Sequence, residues 1–178
     1  MASSVIIAQE DGVKWYSWQE GMAKAEREDK KFVIDLYTDW CGWCKKMDSD
    51  TFDDPNIAKY INERYIPIKL NAEIREEILF QGETHRYIKS GKRGYNTLAA
   101  KITNGRLSYP TVVFLDENKQ LIQAIAGYQK AAQFEPILHY FADDMHQKMA
   151  WTTFLRSFNT QTPPTKPNHG VLVGQKGN

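Results

Sequence analysis

Residues Lys31–Met47 read KFVIDLYTDWCGWCKKM. The first half is a nearly unbroken apolar run, the pattern of a strand buried on both faces. One acid, Asp35, interrupts it. The second half holds both cysteines of the chain, Cys41 and Cys44, two residues apart with a tryptophan before each. Helical signal then continues through Lys45, Lys46 and Met47. A strand feeding directly into a helix puts Cys41 at the junction. Such a pair serves as a structural staple, as half of a metal site, or as a reactive dithiol.

A staple is the weakest of the three. A bridge across CxxC closes too small a loop to constrain an unfolded chain much, and two cysteines in 178 residues make no disulfide scaffold. A structural zinc site wants four ligands, and none of His85, His139, His146 and His169 has metal-ligand spacing to the CxxC. His139 and His146, seven apart on an expected helix, read as polar residues of one half-exposed face. Copper held by the CxxC and a distant histidine has no support in the spacing. The dithiol has a physical rationale. Backbone N–H groups at a helix start point toward the Cys41 sulfur, and their partial positive charge favours thiolate over thiol. Lys45 and Lys46 add positive charge one turn later. Cys41, at the exposed end, is then the attacking thiol, and Cys44, one turn further in, the resolving one. Trp40 and Trp43 offer flat apolar surface for docking a polypeptide. Of the two, Trp40 reads more readily as a core residue and Trp43 as a surface one.

The rest of the composition narrows the field. With 42% hydrophobic residues the chain can build one domain with a real core. Its net charge of +1, from 23 basic and 22 acidic residues, gives no global pull toward nucleic acid or an anionic membrane. No segment approaches the roughly 18 apolar residues needed to span a bilayer. MASSVIIAQEDG at the start has no basic region and too short an apolar run for a signal peptide.

Along the chain, Val13–Ser17 suggests a short strand, and Trp18–Glu28 a helix capped by Ser17. Asp54-Pro55 starts another helix, with Asp54 as cap and Pro55 in the first turn. YIPIKLNA reads as the next strand, Pro67 arguing for an edge or a bulge. Glu73–Gly94 suggests a hairpin turning at Gln81-Gly82, followed by KSGKRG as a solvated turn. Tyr95–Ile102 reads as a helix ended by Asn104-Gly105. TVVFLDENKQLIQAIAGY gives two strands joined at Glu117-Asn118. One long helix is expected from about Lys130 to Arg156, with Pro136 near its start. The end of the chain, with three prolines and three glycines from Thr160 onward, has little to bury. Strands alternating with helices, then a β-hairpin and a helix, argue for one α/β sheet covered on both faces.

With these pieces in place, VIDLYTDWCGWCKKM resembles the active-site segment of thioredoxins, with WCGWC for the commoner WCGPC. It is closer still to the thioredoxin-like domains of bacterial extracytoplasmic disulfide reductases, such as the C-terminal domain of DsbD. Their tyrosine and acid-tryptophan-cysteine run have the order of Tyr37, Asp39, Trp40 and Cys41. Three further matches lie elsewhere. Asp35 falls where thioredoxins carry a buried aspartate beneath the second cysteine. IKLNAE resembles the strand whose lysine approaches that aspartate, making Lys69 its partner. SYPTVVFLD resembles the segment with the cis-proline facing the dithiol, which would be Pro110. Gly127 matches the glycine after the last strand.

The resemblance, covering roughly Lys31–Tyr140, implies a thioredoxin-like fold with a central mixed sheet and helices on both faces. Residues 1–159 would form a single domain with a hairpin insertion near 73–94 and an extended C-terminal helix, and 160–178 a disordered tail. The implied function is a thiol–disulfide oxidoreductase, a reductase rather than an oxidant. Asp35 and Lys69 would tune proton transfer, Asp35 taking the proton of Cys44. Trp40, Gly42, Trp43, Tyr109 and Pro110 would shape the substrate groove. Expected partners are protein disulfides and a thiol electron donor, with no prosthetic cofactor, no metal, no nucleic acid and no membrane insertion. A monomer outside the cytoplasm is expected. The insertion is expected to wall the site, and Met145, Met149 and Phe158 to pack on a sheet face. The alternative is a thioredoxin-fold binding module whose dithiol is a metal site or a redox switch without turnover.

Overall fold

A computed structural model describes residues 12–161. The expectations for the first residues, and for the tail beyond 161, lie outside that range.

The sheet is built on β1 (Lys31–Tyr37), six of whose seven residues are buried. It pairs in parallel with β2 (Tyr65–Asn71) and antiparallel with β7 (Thr111–Leu115), which pairs antiparallel with β8 (Leu121–Ala126). The order β2-β1-β7-β8 makes a mixed four-stranded sheet. Alternation along β1 divides the core in two. Phe32, Ile34 and Leu36 join Trp18, Ile66, Ile68 and Leu98 on one face. Val33 joins Met47, Phe52, Ile57, Phe114 and Phe134 on the other. Fully burying an aliphatic or aromatic side chain is worth about 1.5–3 kcal/mol, so β1 contributes to both cores at once.

Pro67 sits in β2, an edge strand, as its missing donor requires. Tyr16 meets that edge: its N–H donates to the Pro67 carbonyl, and its own carbonyl accepts from the Lys69 N–H, both at 3.0 Å. The expected strand at Val13–Ser17 is thus reduced to a single bridge between Tyr16 and Ile68.

The helices begin where the sequence puts caps. Ser17 and Glu20 form a capping box on α1 (Trp18–Lys24), which stops four residues short of the expected end. After α2 (Gly42–Met47), a π-helical turn (Asp48–Phe52) leads to α3 (Pro55–Arg64), capped by Asp54 with Pro55 in its first turn. The insertion holds two hairpins, not one: β3 (Ile78–Phe80) with β4 (Glu83–His85), and β5 (Tyr87–Ser90) with β6 (Arg93–Asn96). Tyr95 therefore lies in a strand. Helix α4 (Thr97–Ile102) starts only after Asn96, whose side chain caps Leu98 N–H.

The long C-terminal helix is replaced by α5 (Ala131–Ala142), α6 (Met145–Lys148) and α7 (Trp151–Gln161). The break falls at Asp144, in the left-handed conformation at φ 54°. Asp is one of the few non-glycine residues that adopt it routinely. His139 and His146 consequently sit on different helices. Met145, Met149 and Phe158 pack against the second core.

Candidate dithiol active site

Cys41 and Cys44 are joined by a disulfide, S–S 2.10 Å. Cys41 is the cap residue of α2, and its sulfur accepts the Cys44 N–H at 3.0 Å. The helix start thus directs a donor at the first sulfur. The difference in accessibility between the two is smaller than expected: in the disulfide state Cys41 is 6% exposed and Cys44 3%. Lys46 is tied to Asp50 at 2.7 Å, so its charge is largely offset.

Strand alternation sends Asp35 to the face of the sheet that α2 covers, beside Val33 and Val112. The residue is 1% exposed. Its register partner in β2 is Lys69, whose Nζ stands 3.2 Å from Asp35 Oδ2. The other carboxylate oxygen, Oδ1, is buried and has no hydrogen-bond partner among the described residues. Burial pushes the Asp35 carboxyl up to about 6, Lys69 working against the rise and the charge of Asp48 adding to it. Burial alone would lower Lys69, but Asp35 and Asp48 outweigh it and hold the ammonium above the ordinary lysine value. Lys69 also lies over the rings of Tyr37 at 5.3 Å and Trp15 at 5.5 Å.

Asp48 is the residue that sequence reasoning missed. It hydrogen-bonds and ion-pairs with Lys69, so two carboxylates share one ammonium. A signal existed: Asp48 lies four residues after Cys44, hence on the same side of a helix.

Trp40 corrects the sequence reading. It is 49% exposed rather than in the core. Its indole N–H donates to Glu73 Oε1 at 3.0 Å, its ring meets Tyr109 edge-on at 5.8 Å, and the Arg93 guanidinium lies 4.4 Å from the ring centroid. Both charged partners come from the 73–94 insertion, so the insertion does reach the site. Trp43, exposed as expected, packs at 5.4 Å on Tyr128, whose hydroxyl donates to Asp50 at 2.7 Å. The Tyr109–Pro110 peptide bond is cis, and the Pro110 carbonyl accepts from Gly127 N–H at 2.8 Å. Gly127 has φ 97°, which a side chain would strain. Gly42 is exposed, with open space where a Cβ would stand. Among the described residues, no group of three or more His, Cys, Asp or Glu side chains could hold a metal ion.

Residues 18–142 match the thioredoxin-like domain family. The chain belongs to the thioredoxin-like family. It is 28% identical over 112 residues to the thiol:disulfide interchange protein DsbD of Yersinia pestis, a match covering 62% of this chain and 16% of DsbD. It is also 31% identical over 67 residues to mouse spermatogenesis-associated protein 20, covering 37% of this chain and 8% of that protein. The matched segments are therefore a small part of these relatives. Among solved structures, a thioredoxin from Thermus thermophilus aligns with TM-score 0.54 at 17% identity, covering 73% of this chain and 87% of its own. A thioredoxin-fold protein from Helicobacter pylori aligns with TM-score 0.54 at 18% identity, covering 80% and 94%. At these identities the likeness is one of fold.

Proposed function

We propose that the protein is a thiol–disulfide oxidoreductase that reduces disulfides in polypeptides. One observation carries the reading: the Cys41–Cys44 bond at the start of α2, above the sheet face that holds buried Asp35 paired with half-buried Lys69. In the reduced protein, the Cys41 thiolate attacks one sulfur of a substrate disulfide. The substrate S–S bond breaks, a mixed disulfide forms, and the departing sulfur takes a proton from solvent. Asp35 accepts the proton of Cys44, directly or through water. A carboxyl that titrates at about 6 is mostly ionised near neutral pH and ready for that task. Cys44 then attacks Cys41, the mixed disulfide breaks, and the second substrate sulfur leaves as a thiolate that takes up the proton held by Asp35, directly or through water. Two electrons have passed to the substrate, and the protein holds the Cys41–Cys44 disulfide. A thiol donor reduces it again, so the cycle uses no prosthetic group. Trp40, Gly42, Trp43, Tyr109 and Pro110 form the surface on which the substrate lies.

The name of the Y. pestis relative, thiol:disulfide interchange protein, supports this chemistry. By likeness to DsbD we place the protein outside the cytoplasm, and we take it to act as a monomer. No helix among the described residues is long and apolar enough to cross a membrane. Insulin-disulfide reduction tests the proposal. The wild-type protein should catalyse it, Cys41→Ser should abolish it, and Cys44→Ser should accumulate mixed disulfides through Cys41. Trapping through the other sulfur would reverse the roles. An inert wild-type dithiol that instead bound zinc or copper would overturn the enzyme reading.

A further inference from the structure

The two tryptophans beside the dithiol stand in different electrostatic surroundings. On the Trp43 side Lys46 is offset by Asp50, which also accepts from Tyr128, and Lys45 is an exposed cation pointing to no ring of the site. On the Trp40 side the β5–β6 hairpin presents Arg93, with Lys92 in its turn and Lys89, opposite Gly94, on its other face; all three are exposed. Among the described residues, Lys89 and Lys92 make no ion pair. Arg93 has only the long 3.9 Å contact to Glu73, with its side chain 58% exposed. The acids around the hairpin are Glu73, already engaged by the Trp40 N–H, exposed Asp39 beside Trp40, exposed Glu76, whose carbonyl accepts from Asn96, and Glu77, which pairs with Arg86.

Arg93 is held in place, not loosely solvated. Its guanidinium lies on the Trp40 ring, and Trp40 is fixed from two further sides by Glu73 and Tyr109. The next residue, Gly94, locks the hairpin: a Cβ there would stand 2.3 Å from the Ile88 carbonyl and 2.4 Å from the Tyr87 ring. Ladder pairing puts Ile88, opposite Tyr95, on the same hairpin face as Arg93. Ile88 is an exposed apolar side chain. A stacked cation, with further unpaired cations and an apolar side chain on the same hairpin, thus stands against the residue that precedes Cys41.

Building on the oxidoreductase reading, we propose that Arg93 is a specificity-determining residue. It selects polypeptide disulfides flanked by an acidic side chain, which lies across Trp40 and meets the guanidinium while Cys41 attacks. An arginine fork suits a carboxylate because it offers paired parallel donors.

The test compares three disulfide-bonded peptides that differ only in the residue next to one cysteine: Glu, Gln or Lys. Ion pairs at exposed sites are worth factors of roughly two to five. Wild-type kcat/KM should therefore fall by about that factor from Glu to Gln and again from Gln to Lys, mainly through KM. In Arg93→Gln the Glu-to-Lys ratio should collapse toward one, Arg93→Lys should keep part of it, and high salt should erase it in the wild type. These ratios cancel any general loss of activity. Equal wild-type rates on the three peptides, or a ratio unmoved by Arg93→Gln, would overturn this inference alone. Failure to reduce any of them, together with failure on hydroxyethyl disulfide, would overturn the oxidoreductase reading and this inference with it.

Discussion

Asp35 sets the most direct prediction at the scale of single residues. An ordinary aspartate titrates near 3.8, and Asp35 at about 6. Between those values the native state keeps a proton that the unfolded chain gives up, so stability falls as pH rises through that window. Above it, the buried carboxylate costs about 3 kcal/mol, at about 1.4 kcal/mol for each tenfold change. Asp35→Asn should therefore raise the unfolding free energy at pH 7 by up to about 3 kcal/mol, with the gain gone below pH 3.8. Urea titrations at the two pH values check this; a pH-independent difference would refute it. Asp48→Asn should move the window to lower pH, because it removes a like charge and leaves Lys69 to Asp35 alone. Asp35 was legible because a lone acid in an apolar run demands an explanation. Trp40 was not, because the groups that hold it at the surface come from Glu73, 33 residues downstream, and from Arg93. No local pattern around Cys41 carries that information.

Among the elements, the break between α5 and α6 shows where local periodicity loses to a distant contact. Apolar spacing alone supported one helix through Arg156. In the folded chain Asp144 turns out of helical conformation and places its carboxylate 3.1 Å from Lys31, a lysine only 5% exposed at the start of β1. Glu117, in the β7–β8 turn, provides the second partner at 2.6 Å. The consequences of disrupting this triad are asymmetric. Glu117→Gln combined with Asp144→Asn leaves a buried ammonium unpaired and should cost about 3 kcal/mol. Lys31→Met should cost under about 1 kcal/mol, because both carboxylates are a third or more exposed and can rehydrate. Chemical denaturation of both variants decides the matter; the reverse ranking would contradict the account. Caps and turns, by contrast, were readable. Ser17, Asp54 and the left-handed Asn104-Gly105 pair each do locally what their side chains or their freedom at positive φ allow.

Over the whole molecule, a sheet covered on both faces followed from strand patterning, and so did the first hairpin of the insertion, which turns at Gln81-Gly82 as expected; the second hairpin, four residues to a strand and exposed along most of β5, carries too little periodicity to be read. The two halves of the insertion do different work. The first hairpin buries Ile78 and Phe80 in the core, with Phe80 edge-on to Trp18 at 5.0 Å. The second leaves Ile88, Lys89 and Lys92 exposed. Phe80→Ala should cost about 3–5 kcal/mol. Replacing residues 88–94 with a tight turn should leave the melting temperature nearly unchanged but weaken polypeptide reduction; melting and turnover measured on both variants separate these roles. The meeting of Tyr16 with Pro67 bears on a further property, colloidal behaviour. A neighbouring molecule trying to extend the sheet from β2 meets a prolyl nitrogen with nothing to donate, followed by a carbonyl and an N–H already taken by Tyr16. Strand-by-strand growth into fibrils is left to start from β8, and a lysine introduced at exposed Gln123 should lengthen the lag before it begins.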